Sequence, residues 1–147
     1  MFKHILIPTD GSRVAAKAVK AGIGIAQQLG ARVTGYCAIE QIRPRTVGDG
    51  YMIDRKLVQV LERRAAAAAQ KYVEAIGKVA KAAGVEFEPC VSKARTPYEG
   101  IIDAAKKKKC DAIFMASHGR RGLAGLLMGS VTHKVLTRTR IPVLVYR

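Results

Sequence analysis

Residues 112–132 read Ala112-Ile113-Phe114-Met115-Ala116-Ser117-His118-Gly119-Arg120-Arg121-Gly122-Leu123-Ala124-Gly125-Leu126-Leu127-Met128-Gly129-Ser130-Val131-Thr132. The apolar opening predicts a buried strand, and the pattern from Ser130 to about Arg138 predicts a helix. Between them lie four glycines and two adjacent arginines. Glycine lets backbone approach a ligand closely. The first N–H groups of the helix, on Ser130, Val131 and Thr132, have no acceptor within it, and such an end attracts anions. By composition this connection reads as a phosphate cradle.

Working outward, strands and helices alternate along the whole chain. Phe2–Pro8 is a short apolar run and predicts a first strand. Ser12 is placed to cap a helix reaching about Leu29, with Val14, Ala15, Ala18, Val19, Gly22, Ile25 and Ala26 on one stripe, and Gly30 ends it. Arg32–Ile39 reads as a second strand. Gln41–Gly50 is a polar loop. Tyr51–Ala83 then carries a long helical pattern, with Leu57, Val60, Leu61, Ala65, Ala68, Tyr72, Ala75, Ile76 and Val79 as its apolar face. Gly77 weakens that helix by ~1 kcal/mol relative to alanine, and Gly84 stops it. Val85–Val91 alternates as a third strand. Pro97 opens a crossover helix whose last turn holds the run Lys106–Lys109, where cations suit the helix dipole. Asp111–Ala116 is the fourth strand and Ile141–Tyr146 the fifth.

Such alternation predicts an α/β fold, an open parallel five-stranded sheet with helices on both faces, and the order expected for it is the Rossmann-like 3-2-1-4-5. Ligands in these sheets bind beyond the carboxyl ends of the strands, where the order reverses. Two neighbouring ends carry suitable residues: Pro8-Thr9-Asp10-Gly11-Ser12 after the first strand, and the glycine-rich connection after the fourth.

Other chemistries are excluded by what is missing. No lysine precedes Ser130, so this is not a P-loop. G-x-G-x-x-G and G-x-S-x-G are both absent. A receiver domain of this architecture needs an aspartate ending the third strand, where Cys90, Val91 and Ser92 stand. His4, His118 and His133 are scattered, and no metal-binding cluster is expected. Cys37, Cys90 and Cys110 have neither zinc nor CxxC spacing and read as reduced thiols.

At 147 residues the chain predicts a single domain spanning 1–147. No apolar run approaches the ~18 residues of a membrane span. The amino terminus lacks the pattern of a secretory signal, so a cytoplasmic location is expected. The net charge is +15. Its cations are dispersed, at Arg43, Arg45, Arg55, Lys56, Arg63, Arg64, Lys106–Lys109, Arg120, Arg121, Arg138 and Arg140. With no tryptophan and 5% aromatics, a focused nucleic-acid surface is not favoured. A general attraction for anions is the simpler reading, with nonspecific contact to nucleic acid, polyphosphate or anionic membrane beside it.

On these residues the chain resembles the universal stress protein family, nearly end to end. The resemblance rests on Ile5-Leu6-Ile7-Pro8-Thr9-Asp10-Gly11-Ser12, Ser117-His118-Gly119, Gly129-Ser130-Val131-Thr132 and Pro142-Val143-Leu144-Val145. The nucleotide-binding branch of that family carries G-x-x-G-x9-G-[ST]. Gly119, Gly129 and Ser130 match it, and Ala116 stands at its first glycine; with negative φ there the methyl group costs little, and with positive φ about 1 kcal/mol. Another branch lacks the motif and does not bind ATP.

The resemblance implies a Rossmann-like domain that binds ATP, alone or with Mg²⁺, and regulates a stress response. Asp10 would accept hydrogen bonds from ribose, with Pro8 and Thr9 lining the same wall. The main chain at Ala38 would read adenine, with Met115 beside it. Gly119, Gly129, Ser130, Val131 and Thr132 would hold phosphates through N–H groups and hydroxyls. Arg120 and Arg121 would add charge-assisted contacts. The fifth strand would pair with its copy in a homodimer. No catalytic residue is assigned, since no carboxylate is placed to orient His118, and His133 is expected at the surface. Two alternatives stand beside this expectation: an interaction module with a basic surface and no nucleotide, and a slow ATPase.

Overall fold

The structure is a computed structural model that describes residues 1–42, 54–119 and 128–147. Its elements alternate as β1 (His4–Pro8), α1 (Arg13–Leu29), β2 (Arg32–Glu40), α2 (Arg55–Ala82), β3 (Phe87–Ala94), α3 (Pro97–Lys107), β4 (Ala112–Ala116), α4 (Ser130–Arg138) and β5 (Val143–Tyr146). The strands form one sheet in the order β3-β2-β1-β4-β5, and every neighbouring pair is parallel. This is the topology expected from the sequence.

Successive side chains of a strand point to opposite faces, and the two faces build two cores. Ile5, Ile7, Val33, Phe114 and Ala116 pack with α1 and α2 on one side. Leu6, Tyr36, Ile113 and Met115 pack with α3 and Val135 of α4 on the other. β1 and β4 are buried at every position, as central strands covered on both faces must be.

Local signals set most of the boundaries. The Ser12 hydroxyl accepts from the Ala15 amide at 3.1 Å and opens α1. Gly30 closes α1 at φ 63°, in the left-handed region that favours glycine. Asp54 caps α2, and the Tyr51 start assigned from the sequence lies outside the described residues, as do Arg43 and Arg45.

Three expectations are corrected. β3 runs from Phe87 to Ala94 rather than from Val85 to Val91, because β2 continues to Glu40 and carries its partner with it, pairing Glu40 with Ala94. In α1, Ile23 is buried while Val14 is exposed. In α2 the buried residues are Ala69, Val73, Ile76 and Ala80. Leu57, Val60, Leu61 and Ala75, assigned to the apolar face, are exposed.

Candidate functional site

At the carboxyl edge of the sheet, β1 and β4 part. Their pairing runs through Ile5–Ala112 and Leu6–Ile113 and goes no further. Pro8 has no N–H to extend the ladder. This is the reversal point of the strand order, so a crevice opens there between helices of opposite faces.

β1 leads straight into its wall. Thr9 donates its amide to the Tyr36 carbonyl at 2.8 Å, tying the turn to β2. Asp10 follows, half-buried, with Oδ1 accepting from the Ser12 amide at 2.9 Å. Gly11 adopts φ 77°, and the Tyr72 ring of α2 lies where a Cβ at this position would sit.

β2 outlasts β1 at this end. The last β1–β2 partners are Pro8 and Tyr36. Tyr36 aims its carbonyl toward the β1 side, and Ala38, two residues on, shares that direction. The Ala38 main chain therefore faces the space past the end of β1. Ala38 and the buried Met115 belong to the same side of the sheet.

β4 supplies the opposite wall. Ser117 donates its amide to the Tyr146 carbonyl at 2.7 Å, and its own carbonyl accepts from the Gly129 amide at 2.7 Å. The second bond fastens the entry of α4 onto the end of β4. Thr132, buried in the first turn, adds a hydroxyl bond to the Ala116 carbonyl at 2.9 Å. Gly129 is the N-cap and has no side chain to offer the helix, and the first intrahelical bond comes from the His133 amide to the Gly129 carbonyl. The amides of Ser130, Val131 and Thr132 have no acceptor within α4. The positive end of the helix dipole sits at the same place.

Gly119 closes the arrangement. A Cβ there would overlap Oδ2 of Asp10, and one at Gly129 would come within 3.2 Å of the Ser117 carbonyl. Both glycines are therefore sites of close approach. Asp10, Gly119, Gly129 and the α4 amino end, drawn from three stretches of sequence, converge on one crevice.

One assignment changes in detail. Thr132 was expected to offer its hydroxyl to phosphate, but that proton goes to the Ala116 carbonyl, and only its N–H is left for a ligand. Ala116 has no positive φ and sits in the α1-side core, so its methyl group fits without strain. Arg120 and Arg121 lie outside the described residues. His118 shares a 2.9 Å hydrogen bond between Nδ1 and the Ser117 hydroxyl, and His133 is exposed. Sequence reasoning placed Tyr72 on a helix face without seeing that it covers Gly11. A surface groove of about 510 Å³ lies elsewhere, between β3 and α3.

A profile of the universal stress protein family matches residues 1–147. The chain belongs to this family. Among curated universal stress proteins it is 33% identical over 147 residues to MJ0531 of Methanocaldococcus jannaschii, covering 100% of this chain and 83% of that one. The solved structure of MJ0577 from the same organism superposes with a TM-score of 0.82 at 28% identity, over 99% of this chain and 95% of the other. Two more distant universal stress protein structures share the fold. One is a complex with cAMP, with a TM-score of 0.69 at 21% identity over 99% and 97% of the two chains. The other, from Archaeoglobus fulgidus, is a complex with dAMP, with a TM-score of 0.62 at 17% identity over 100% and 98%.

Proposed function

We propose that this universal stress protein binds an adenine nucleotide, ATP in the first instance, in the crevice between the ends of β1 and β4. The observation that carries the reading is the uncapped amino end of α4, held beside Asp10 by Gly119 and Gly129. A carboxylate accepts hydrogen bonds from sugar hydroxyls and repels phosphate, so Asp10 belongs at the ribose. The amides of Ser130, Val131 and Thr132, with the exposed Ser130 hydroxyl, suit the phosphates. The Ala38 main chain, with Pro8, Thr9 and Met115 around it, suits the base. Mg²⁺ would accompany the triphosphate through its own oxygens. The cAMP and dAMP complexes of family members agree with an adenine ligand.

Nucleotide occupancy acts here as a switch of partner affinity in a single-domain cytoplasmic regulator. Hydrolysis is not part of the proposal, which assigns no catalytic residue; His118 Nδ1 shares its 2.9 Å hydrogen bond with the Ser117 hydroxyl. The protein works as a two-fold dimer joined along β5, whose four residues are all half-buried and whose outer edge has no strand beside it among the described residues.

Thermal melting in rising Mg-ATP tests the binding. At a hundredfold excess over Kd the gain is about 2.7 kcal/mol, or about 5–10 °C for a chain of this size. Gly129→Val, which crowds the Ser117 carbonyl, should abolish the shift. An unchanged melting temperature at millimolar ATP would overturn the proposal in favour of an interaction module without nucleotide.

A further inference from the structure

Helix α2 has an outer face that is exposed, with none of the described elements packed on it, and that the crevice does not use. Its inner face is marked by Ala69, Val73, Ile76 and Ala80. On the far side, positions 57, 61, 64, 71 and 78 follow one another at helical spacing as Leu57, Leu61, Arg64, Lys71 and Lys78. Leu57, Val60 and Leu61 are 51%, 44% and 39% exposed. The helix carries seven cations against two acids, Glu62 and Glu74. Glu62 is engaged by Lys93 of β3, and among the described residues no ion pair neutralises a cation of α2.

We propose that this face of α2 is a peripheral docking surface for an anionic lipid bilayer. Three large aliphatic side chains at one end of a basic helix match an interface with hydrocarbon below and negative headgroups around it. Arg55, Lys56, Arg63 and Arg64 flank the leucines within two turns and would reach the headgroups while the leucines enter the acyl boundary. A second copy of this chain is a poor occupant, because two such faces repel and the net charge is +15. Nucleic acid is a poorer match: the exposed apolar residues are aliphatic and offer no ring on which a base can stack. The described helices include none long and apolar enough to cross a membrane, so the attachment is to the surface.

Cosedimentation of the full chain with vesicles tests this. At about 0.1 M salt the protein should pellet with phosphatidylglycerol–phosphatidylcholine vesicles and stay soluble with phosphatidylcholine alone. Leu57→Ser/Leu61→Ser and Arg63→Gln/Arg64→Gln should each bind at least tenfold more weakly. Lys106→Gln/Lys109→Gln, with the same charge loss at the carboxyl end of α3 and just beyond it, should stay within twofold of the parent. Circular dichroism checks that each variant is folded. Absence of binding to anionic vesicles overturns the proposal. So does undiminished binding by the leucine variant, an equal loss in the Lys106/Lys109 control, or capture by a DNA duplex in preference to vesicles.

Discussion

Asp10 and Gly119, residues far apart in sequence, come close together in the crevice. Because Gly119 is exposed and a Cβ there overlaps the Asp10 carboxylate, Gly119→Ala should disturb the ribose acceptor with little effect on the core. We expect at least a tenfold loss of ATP affinity, about 1.4 kcal/mol, by calorimetric titration, with the ligand-free melting temperature within ~2 °C of the parent. His4 makes a separate prediction. It is buried on β1, with Nε2 bonded to the Thr34 hydroxyl at 2.7 Å and Nδ1 without a partner. Burial lowers its pKa below the ordinary 6.5, and Arg32 adds to this, while Glu88, Asp111 and Glu86 oppose it. The unfolded chain therefore takes up a proton near pH 6.5 that the folded chain resists. Stability should fall as pH drops below 6.5, and urea titrations of His4→Gln should show a shallower fall. At this scale the sequence made Asp10, Ser12 and the two crevice glycines legible, because each has a local chemical signature. It hid Tyr72 over Gly11 and the Asp10–Gly119 contact, which exist only after the sheet has assembled.

Among the elements, α4 and α2 show what periodicity can and cannot say. Ser130–Arg138 was legible to the residue because a glycine precedes it and a strand follows. The Thr132 hydroxyl bond was not, since a buried threonine in a first turn looks like any other. Thr132→Val removes that bond and leaves the Ala116 carbonyl short of a donor, so unfolding in urea should cost about 1–2 kcal/mol less than in the parent. In α2 the 3.6-residue pattern was sound, but it does not tell where a helix stops touching the sheet. Burial begins only at Ala69, which leaves the leucines of the amino end outside. The same helix contains Gly77, which propensity alone marks as a weakness. A Cβ there would come within 2.9 Å of the Phe87 ring, and one at Gly35 within 2.7 Å. The two glycines admit that ring between helix and sheet. Gly77→Ala should therefore destabilise by about 1 kcal/mol, although helix propensity by itself predicts a gain of similar size. A stabilised variant in chemical denaturation would show that the ring can move aside. The late end of β3 escaped detection for a related reason: Ser92 and Lys93 are polar edge residues held in the strand by β2.

For the molecule as a whole, a parallel sheet covered on both faces was legible from alternation, because right-handed crossovers and short connections leave few arrangements, but alternation alone does not choose between the orders 3-2-1-4-5 and 2-1-3-4-5. The proposed dimer rests on β5. Pro142 and Tyr146 aim their carbonyls at β4, so Val143 and Val145 present their main-chain groups to the outer edge. Val145→Pro removes one outward donor and leaves the inner ladder intact. Sedimentation should give a two-chain mass for the parent and a one-chain mass for this variant. The functional claim rests on the junction of β1, β4 and α4, and amide-resolved NMR of the labelled protein during titration with Mg-ATP tests it most directly. The account predicts saturable shifts centred on Asp10, Gly119, Gly129, Ser130, Val131 and Thr132, with Ala38 moving at the base end. Shifts confined to the lysines and arginines of the surface, or none at millimolar nucleotide, would contradict it.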